Sequence, residues 1–552
     1  MRSFNNGILL LLIALFSACG KDGSQNNLPS AALFSLNSFK VNGTYVGLTY
    51  KGLNTSPIIK LSFSTAINHN SVSANIALTN SAGNIAPFNT TYENHDSTVV
   101  IIPNGLQPIT NYNFSVSTGL QSVAGGSLQS ALKISLTTAI DSTDKFPTIT
   151  DDQLLDLVQK QTLKYFYDFG HPTSGLARER NTSGDIVTTG GSGFGIMALV
   201  TGVSRQFITR AQGLARLQTI VAFLKNNAQT FHGAYPHWMN GQTGAVVPFS
   251  TQDDGADLVE TGFLMEGLLT ARQFFNGAGS DESNLRSDIT NLYNKVEWSW
   301  FQNGQNTLFW HWSPNYGWSS NMQINGWNEA LVVYVLAASS PTYPIQKAVY
   351  DNGWALNGSI KNGNSFYGVQ LPLGPAIGGP LFFAHYSFMG INPNGLSDAY
   401  ASYDVQNKAQ ALINYNYCVA NPQNNYGYSS NCWGLTPSDI ANGYTASSPT
   451  NDVGVIAPTA AIASLPYTPT QSMQALRFFY YKLGDKVWGN YGFYDAFNLN
   501  NPWFATSTLA IDEGPIIDMI ENYRTGLLWN LFMSCTEVKT GMKSLGFKGP
   551  NL

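Results

Sequence analysis

Three acidic residues stand close together in a stretch of the chain that holds no lysine or arginine. Asp253, Asp257 and Glu260 are spaced i, i+4 and i+7, so on a helix they would share one face. Like charges repel at that spacing, and no basic residue between 252 and 270 relieves them. We therefore expect a raised pKa for at least one of these carboxyl groups, as a general acid requires. The alternative is that the first acids only complement the dipole of a helix N-terminus.

Further acids stand at the starts of two other predicted helices. Glu329 precedes the apolar run LVVYVL, with Trp327 beside it. Asp495 stands upstream of the run DEGP at 512–515, in which Glu513 is next to a proline that fits the first helical turn. Capping is the alternative function of these acids, because carboxylates are favourable at helix N-termini.

Glycoside hydrolysis needs two carboxyl groups on opposite sides of a sugar bond, about 6.5–9.5 Å apart for inversion and about 5–5.5 Å for retention. Acids on one helical face would lie on one side of a ligand. We therefore pair one member of the 253–260 group with Glu329 or with an acid of 495–513. Aromatic rings would then stack on the sugar faces, and amide and hydroxyl groups would bind its hydroxyls.

The composition agrees with a sugar ligand and argues against nucleic acid. The 552 residues carry a formal net charge of −5 and no basic block, whereas nucleic-acid binders concentrate positive charge. Aromatic residues make up 13% of the chain and often stand beside Asn, Gly and Ser, which suits neutral, hydroxyl-rich ligands. The hydrophobic share of 43% predicts a large buried core.

The cysteines and histidines do not form a metal-binding pattern in the sequence. No CxxC pair occurs, and the seven histidines are scattered, so we predict neither a metal nor a cofactor. His237 ends the loop HGAYPH, where hydrogen bonding is the expected function. In an exported protein Cys418 and Cys432 could form a disulfide, and free thiols are the alternative.

The N-terminus resembles that of a bacterial lipoprotein. A short apolar stretch follows Met1 and Arg2, and is too short to span a bilayer. It ends LFSAC, which is similar to the motif in which a cysteine, here Cys19, becomes lipidated. We predict a signal peptide over 1–19, a polar tether over 20–30 and attachment to the outer membrane of the cell envelope. An ordinary signal peptide with a chance cysteine is the alternative.

Beyond the tether the hydrophobic pattern changes from period two to a helical period. Short alternating runs at 58–63, 97–102, 112–116 and 132–136 predict an all-β sandwich over 31–140, which resembles bacterial Ig-like domains. A polar linker is expected over 141–150. About a dozen helices separated by long aromatic loops then predict a large all-α domain over 151–540. We interpret it as a closed (α/α)6 toroid, with a solenoid as the alternative.

Ordered motifs across 151–535 resemble the glucoamylase-like domain of glycoside hydrolase family 144. They are SGFG at 192–195, GAYPHW at 233–238, WNEA at 327–330, SSPT at 339–342, YS at 386–387, CWGLT at 432–436, GVIAP at 454–458, YGFYDAF at 491–497 and ENYR at 521–524. The resemblance implies an (α/α)6 barrel that cleaves β-1,2-glucan to sophorose or short oligosaccharides with inversion.

The resemblance also implies where the site lies. It places the catalytic acids at Asp253, Asp257, Glu260 and Glu329. The expected substrate-binding residues are His237, Trp238, Trp310, Trp312, Trp327, Tyr386, Trp433, Asp495 and Glu513. An additional acid in the run DDGAD at 253–257, and Glu513 where the family usually has an amide, leave endo or exo action open.

Two other functions remain possible from the sequence. A surface protein that binds glycans without cleaving them would need the aromatic residues and not the acids. A phosphorylase would need a basic phosphate pocket, for which Arg178, Arg180 and Arg524 are the candidates. In each case the predicted partners are an oligo- or polysaccharide and, through Cys19, a membrane.

Overall fold

The computed structural model describes residues 33–552. They form two compact units, one of the described residues up to Leu106 with Tyr112–Leu136, the other of Gln107–Asn111 with Thr137–Leu552. The predicted signal peptide with Cys19 and the tether lie outside the described residues. Across 33–552, no helix has both the length and the apolar character that crossing a membrane requires.

The first unit consists of two four-stranded sheets. Its strands are β1 Leu36–Val41, β2 Thr49–Leu53, β3 Ile59–Phe63, β4 Ile76–Asn80, β5 Phe88–Glu93, β6 Thr98–Pro103, β7 Asn111–Val116 and β8 Leu132–Thr138, with a short helix α1 Val72–Asn75 before β4. The sheet orders are β1-β3-β6-β5 and β2-β8-β7-β4. In the first sheet every neighbouring pair is antiparallel.

The core of this unit follows from the alternation of its strands. Ile59, Leu61 and Phe63 of β3 are buried, and the residues between them are partly exposed. Their side chains share one apolar core with Leu78 and Phe114 of the other sheet. The predicted β-sandwich is confirmed, and the four strands that alternation predicted lie within two residues of their expected ends.

The second unit is mainly helical. Its helices are α2 Asp151–Tyr167, α3 Thr189–Ser204, α4 Arg210–Asn226, α5 Leu258–Phe274, α6 Ser280–Lys295, α7 Leu331–Ser339, α8 Lys347–Val349, α9 Tyr403–Ala420, α10 Pro458–Ile462, α11 Pro469–Val487, α12 Ala510–Thr525, α13 Leu527–Phe532 and α14 Thr536–Leu545. The prediction of a large helical domain is confirmed.

Short strands in the loops pair into small ribbons. They are β9 Ile186–Thr188, β10 Trp238–Asn240, β11 Val246–Val247, β12 Ala256–Asp257, β13 Leu308–Phe309, β14 His311–Trp312, β15 Gln323–Ile324, β16 Ser365–Phe366, β17 Val369–Gln370, β18 Ser438–Ile440, β19 Gly443–Thr445, β20 Trp488–Gly489, β21 Gly492–Phe493, β22 Phe497–Asn498 and β23 Trp503–Phe504. These ribbons hold the aromatic loops between the helices in fixed positions.

Two glycines let helices α3 and α5 approach each other closely. A Cβ atom on Gly193 would lie 2.2 Å from the carbonyl oxygen of Phe263, and one on Gly267 would lie 2.1 Å from that of Gly193. Neither separation is sterically possible, so the contact requires glycine at both positions. Because α5 is held this deeply, the acids at its N-terminus are placed in the protein interior.

The segment predicted as a linker, 141–150, is an integral part of the helical unit. The backbone N–H of Lys145 donates to the carbonyl oxygen of Tyr481 at 2.7 Å, and that of Ile149 donates to the Tyr481 hydroxyl at 3.1 Å. Phe146 stacks on Tyr480 with 4.6 Å between ring centroids. These contacts fix the segment on α11 within the second unit.

Candidate active site

Asp257 is the N-cap of α5. Its Oδ1 accepts hydrogen bonds from the backbone N–H groups of Val259 and Glu260, each at 2.9 Å. The backbone of Asp257 belongs to β12, which pairs with β14, and the helix begins only at Leu258. The prediction that Asp253, Asp257 and Glu260 share a helical face is therefore wrong. They converge because a strand, a cap and a first helical turn meet at one point.

Two histidines neutralise the aspartates of this cluster. His237 Nδ1 lies 3.0 Å from Asp257 Oδ2 and 3.4 Å from Asp253 Oδ2. His311 Nε2 lies 3.3 Å from the same two oxygens. Histidines from separate loops therefore supply the positive charge that lysine and arginine do not supply in the neighbouring sequence.

These contacts shift the pKa values of the aspartate and the histidine in opposite directions. Burial favours the neutral form of Asp257, but hydrogen bonds from His237 and His311 outweigh it and hold the pKa of Asp257 well below its usual range. Burial likewise disfavours the charged form of His237, yet the charges of Glu260, Asp253 and Asp257 raise its pKa well above the ordinary value. Asp257 is therefore a fixed carboxylate that orients the histidines, and it cannot donate a proton near neutral pH.

Glu260 lies in the first turn of α5 with few partners. Its Oε2 accepts the backbone N–H of Gly190 at 2.7 Å, and its Oε1 lies 4.0 Å from His237 Nε2. A Cβ atom on Gly190 would lie 2.6 Å from Oε2, so a side chain at this position would displace the Glu260 carboxylate. Burial raises the pKa of Glu260 to about 7, although the positive charge of His237 opposes the shift.

Glu329 lies just before α7 and is 9% exposed. Ser387 fixes its backbone, because the Ser387 hydroxyl donates to the carbonyl oxygen of Glu329 and accepts from the N–H of Val332 at 2.9 Å. Burial raises the pKa of Glu329 to about 8, and repulsion from Glu260 and Asp257 adds to the shift. Glu329 is therefore protonated at neutral pH.

Glu260 and Glu329 line the same cavity, of about 350 Å³. Four of the predicted substrate-binding residues line it too: His237, Trp238, Trp310 and Tyr386. Asp253 lines a neighbouring cavity of about 380 Å³, which shares His237, Phe249 and Trp310 with the first. We call the first space the catalytic cavity. It combines two carboxyl groups of raised pKa with aromatic walls.

Sequence reasoning missed several residues of this wall. Phe249 stacks on His237 with 4.1 Å between ring centroids, and Tyr444, Phe382, Glu179 and Arg180 also line the cavity. Phe249 and Tyr444 are each 50% exposed. A large exposed aromatic residue in a polar loop was the available signal, but the same signal occurs at many positions of this chain.

Three tryptophans predicted to bind substrate do not line the catalytic cavity. Trp327 is buried and donates from Nε1 to Gln410 Oε1 at 2.7 Å. Trp433 is fully buried and donates to the carbonyl oxygen of Gln471. Trp312 packs edge-on against Trp300 and beside His232. Each ring is therefore part of the packing behind the loops.

Asp495 and Glu513 are also buried outside the lining of the cavity. Asp495 accepts the backbone N–H of Asp439 at 2.6 Å, and burial raises its pKa to about 7 beside Asp512. Burial raises the pKa of Asp512 well above its usual range, and repulsion from Asp495 adds to the shift. Burial also raises the pKa of Glu513, beside Thr162. Asp495 and Asp512 are thus a pair of neighbouring buried acids whose titrations depend on each other.

Side-chain atoms of His237, Asp253 and Asp257 lie within 4.8 Å of one another, so this donor set could hold a metal ion. The positive charges of His237 and His311 can balance these carboxylates without a metal. That no metal binds here stays a prediction. Of the two alternatives for Cys418 and Cys432, the structure has free thiols: both are buried and unbonded, as is Cys535.

Comparisons with known proteins identify relatives of this chain. A family model described as "Putative glucoamylase" matches residues 321–536, and a bacterial Ig-like domain model matches residues 37–138. The exo β-1,2-glucooligosaccharide sophorohydrolase (non-reducing end) of Parabacteroides distasonis is 45% identical over 421 residues, 72% of this chain. The chain spans 58% of that relative's length.

Two solved structures extend the similarity. The endo-β-1,2-glucanase of Chitinophaga pinensis, in a complex with sophorotriose and glucose, is 48% identical, with a TM-score of 0.72 over 73% of this chain and 100% of that one. The β-1,2-glucanase of P. distasonis is 37% identical, with a TM-score of 0.71 over 94% of this chain and 74% of that one. The similarity therefore reaches well beyond the two family models.

Proposed function

This chain belongs to the glucoamylase-like family of glycoside hydrolases, family 144, and on that premise we propose that it hydrolyses β-1,2-glucan to sophorose or short oligosaccharides. One observation carries the proposal: Glu260 and Glu329 are buried, have raised pKa values and line one cavity. Aromatic side chains in the wall of that cavity suit the faces of sugar rings. The relatives whose names specify β-1,2-glucan support this choice of substrate.

Glu329 is the general acid of the proposed mechanism. With a pKa of about 8 it carries a proton at neutral pH, and among residues 33–552 no cation contributes to stabilising its charged form. It donates this proton to the glycosidic oxygen as the bond to the anomeric carbon breaks. The leaving sugar is thereby released as a neutral alcohol.

Glu260 is the general base. Its pKa of about 7 leaves a substantial ionised fraction, and the N–H of Gly190 and the charge of His237 stabilise that form. It takes a proton from a water molecule, which attacks the anomeric carbon on the face opposite the leaving oxygen. The product then has inverted configuration. Inversion is also what the family resemblance implies.

The acid pair Asp495 and Asp512 is the alternative base. Asp512 directly follows Ile511, which lines the catalytic cavity, and the charge of Asp512 contributes, after burial, to the raised pKa of Tyr386 in the cavity wall. Glu260→Gln and Asp512→Asn distinguish the two assignments. With Glu260 as base, the first variant loses most of its kcat and the second retains a larger share.

The remaining features of the proposal come from the sequence. We propose export through the segment 1–19, lipidation at Cys19 and a location at the outer membrane. We also propose that the helices of the second unit close into an (α/α)6 toroid whose aromatic loops surround the catalytic cavity. Labelling of cells with a radioactive fatty acid, compared between wild type and Cys19→Ala, tests the lipid anchor.

The direct test of function is incubation of the purified protein with linear β-1,2-glucan, with starch as the comparison. We expect new reducing ends and short oligosaccharides from the first polymer only. Glu329→Gln should lower kcat by at least about a hundredfold, because the amide keeps the shape and loses the proton. Glu282→Gln on α6 is the matched control, since its carboxylate pairs with Arg210 and does not line the cavity. Cleavage of starch alone would refute the substrate.

The same assay separates the rival functions. A glycan-binding protein would bind the polymer without releasing reducing ends. Phosphorolysis would make the rate depend on phosphate, and we expect no dependence because carboxylates or a backbone carbonyl already engage the candidate arginines. Arg180 pairs with Glu179 and Asp439. Arg524 pairs with Asp156, and Arg178 donates to a backbone carbonyl and lies over an aromatic ring.

A further inference from the structure

The catalytic cavity continues into a second cavity of about 520 Å³. The two share Arg180 and Tyr444. The second cavity is lined mainly by Asn181, Asp439, Tyr444, Trp503, Phe504 and Thr506, and we call it the Trp503 groove. Residues of both cavities come from separate loops, so the groove is an extension of the site rather than a gap within one loop.

Aromatic rings in the groove are held in position but not covered. Trp503 and Phe504 form β23, which pairs with β22 in a hairpin, with Asn498 opposite Trp503. Tyr444 lies on β19, which pairs with β18 in a second hairpin. Both Trp503 and Phe504 are only partly buried. Rings that stay partly solvent-accessible in a concave wall are suited to stacking on a ligand.

The polar groups of the groove are pre-organised and nearly neutral overall. The guanidinium of Arg180 lies between the carboxylates of Glu179 at 2.9 Å and Asp439 at 3.1 Å. Asn181 donates to the carbonyl oxygen of Thr506 at 2.9 Å, which fixes its amide. With its positive charge already balanced, Arg180 can offer hydrogen bonds but little net attraction for an anion. The groove therefore fits a neutral ligand rich in hydroxyl groups.

We infer that the Trp503 groove binds further glucosyl units of the same glucan chain, beyond the units held in the catalytic cavity. The inference rests on the proposed function. The catalytic cavity is also continuous with the cavity that Asp253 lines, through a different set of wall residues. A glucan chain that extends along either wall would bind through more glucosyl units than the catalytic cavity alone holds.

Trp503→Ala tests the groove with two substrates, long linear β-1,2-glucan and sophorotriose. We expect kcat/KM for the long glucan to fall roughly 5- to 10-fold through KM, because one stacking ring is lost. For sophorotriose, which is too short to fill both cavities, kcat/KM should change by less than about twofold. Trp503→Phe should restore most of the activity on the long chain. Tyr523→Ala, an exposed aromatic of α12 outside both cavities, is the control.

The outcomes distinguish a failure of the groove proposal from a failure of the proposed function. Equal losses on both substrates, or no loss on either, would overturn the groove, provided that the melting temperature of the variant matches the wild type. If the wild type cleaves no β-1,2-glucan, the proposed function fails. Calorimetric binding of the long glucan to wild type and Trp503→Ala then still decides whether the groove holds a sugar chain.

Discussion

Two acids in the core of the helical unit should make its stability fall as pH rises. Glu266 of α5 and Asp518 of α12 are fully buried. Within residues 33–552, Glu266 Oε2 and both carboxylate oxygens of Asp518 have no hydrogen-bond partner. Burial raises the pKa of each well above its usual range, and the charge of Glu266 raises that of Asp518 further. Burial therefore favours the protonated form of both side chains in the folded protein.

The magnitude of the effect follows from proton linkage. In the unfolded chain an aspartate has a pKa of about 3.9, so keeping Asp518 protonated in the folded state costs about 1.4 kcal/mol for each pH unit above that value. The folded state binds the extra proton, so stability decreases with rising pH. Asp518→Asn removes this cost while keeping the shape. We expect the variant to match the wild type near pH 4 and to exceed its stability increasingly toward pH 7.

Differential scanning calorimetry between pH 4 and pH 7.5 measures this difference. The melting temperature of Asp518→Asn minus that of the wild type should grow steadily over the range. Asp288→Asn, which removes a surface ion pair with Lys225, is the control and should show little pH trend. If Asp518→Asn is less stable than the wild type at every pH, the carboxylate is charged and has a partner, and the reasoning is refuted.

Two further predictions concern the site and the helix contact that positions it. The pH profile of kcat/KM should be bell-shaped. Activity should rise near pH 7 as Glu260 loses its proton, and fall near pH 8 as Glu329 loses its own. A single optimum near pH 4 to 5 would mean that burial does not control the pKa values of these two groups. Gly193→Ala should lower the free energy of unfolding by about 1–3 kcal/mol in urea titrations, whereas Gly279→Ala, with open space at its Cβ position, should not.

The periodic part of the fold could be predicted from the sequence because it depends on local patterns. Alternation in the run IKLSF located β3, and the change to a helical period located the second unit. The linker was misjudged because polar composition does not reveal a single anchor such as Phe146 on Tyr480. Contacts between residues more than 300 positions apart leave no local signal.

The sequence predicted which acids come together better than it predicted the wall around them. Glu260 and Glu329 do line one cavity, yet the helical face that first connected the acids does not exist. Trp327 is only two residues from Glu329, but its ring points into the core, where Gln410 accepts its N–H. Periodicity fixes which residues lie on one helix. It does not fix which direction a loop tryptophan takes.

A raised pKa by itself does not identify the active site in this protein. Glu266 and Asp518 are as deeply buried as Glu260, and their pKa values are raised for the same reason. Glu260 differs because a cavity with aromatic walls reaches its carboxyl group, and because a backbone N–H and a charged histidine stabilise its ionised form. A buried acid can cycle between protonated and ionised forms during turnover only when both states are supported and a substrate can reach it. Within the described residues, that combination favours Glu260 over the core acids as the catalytic partner of Glu329.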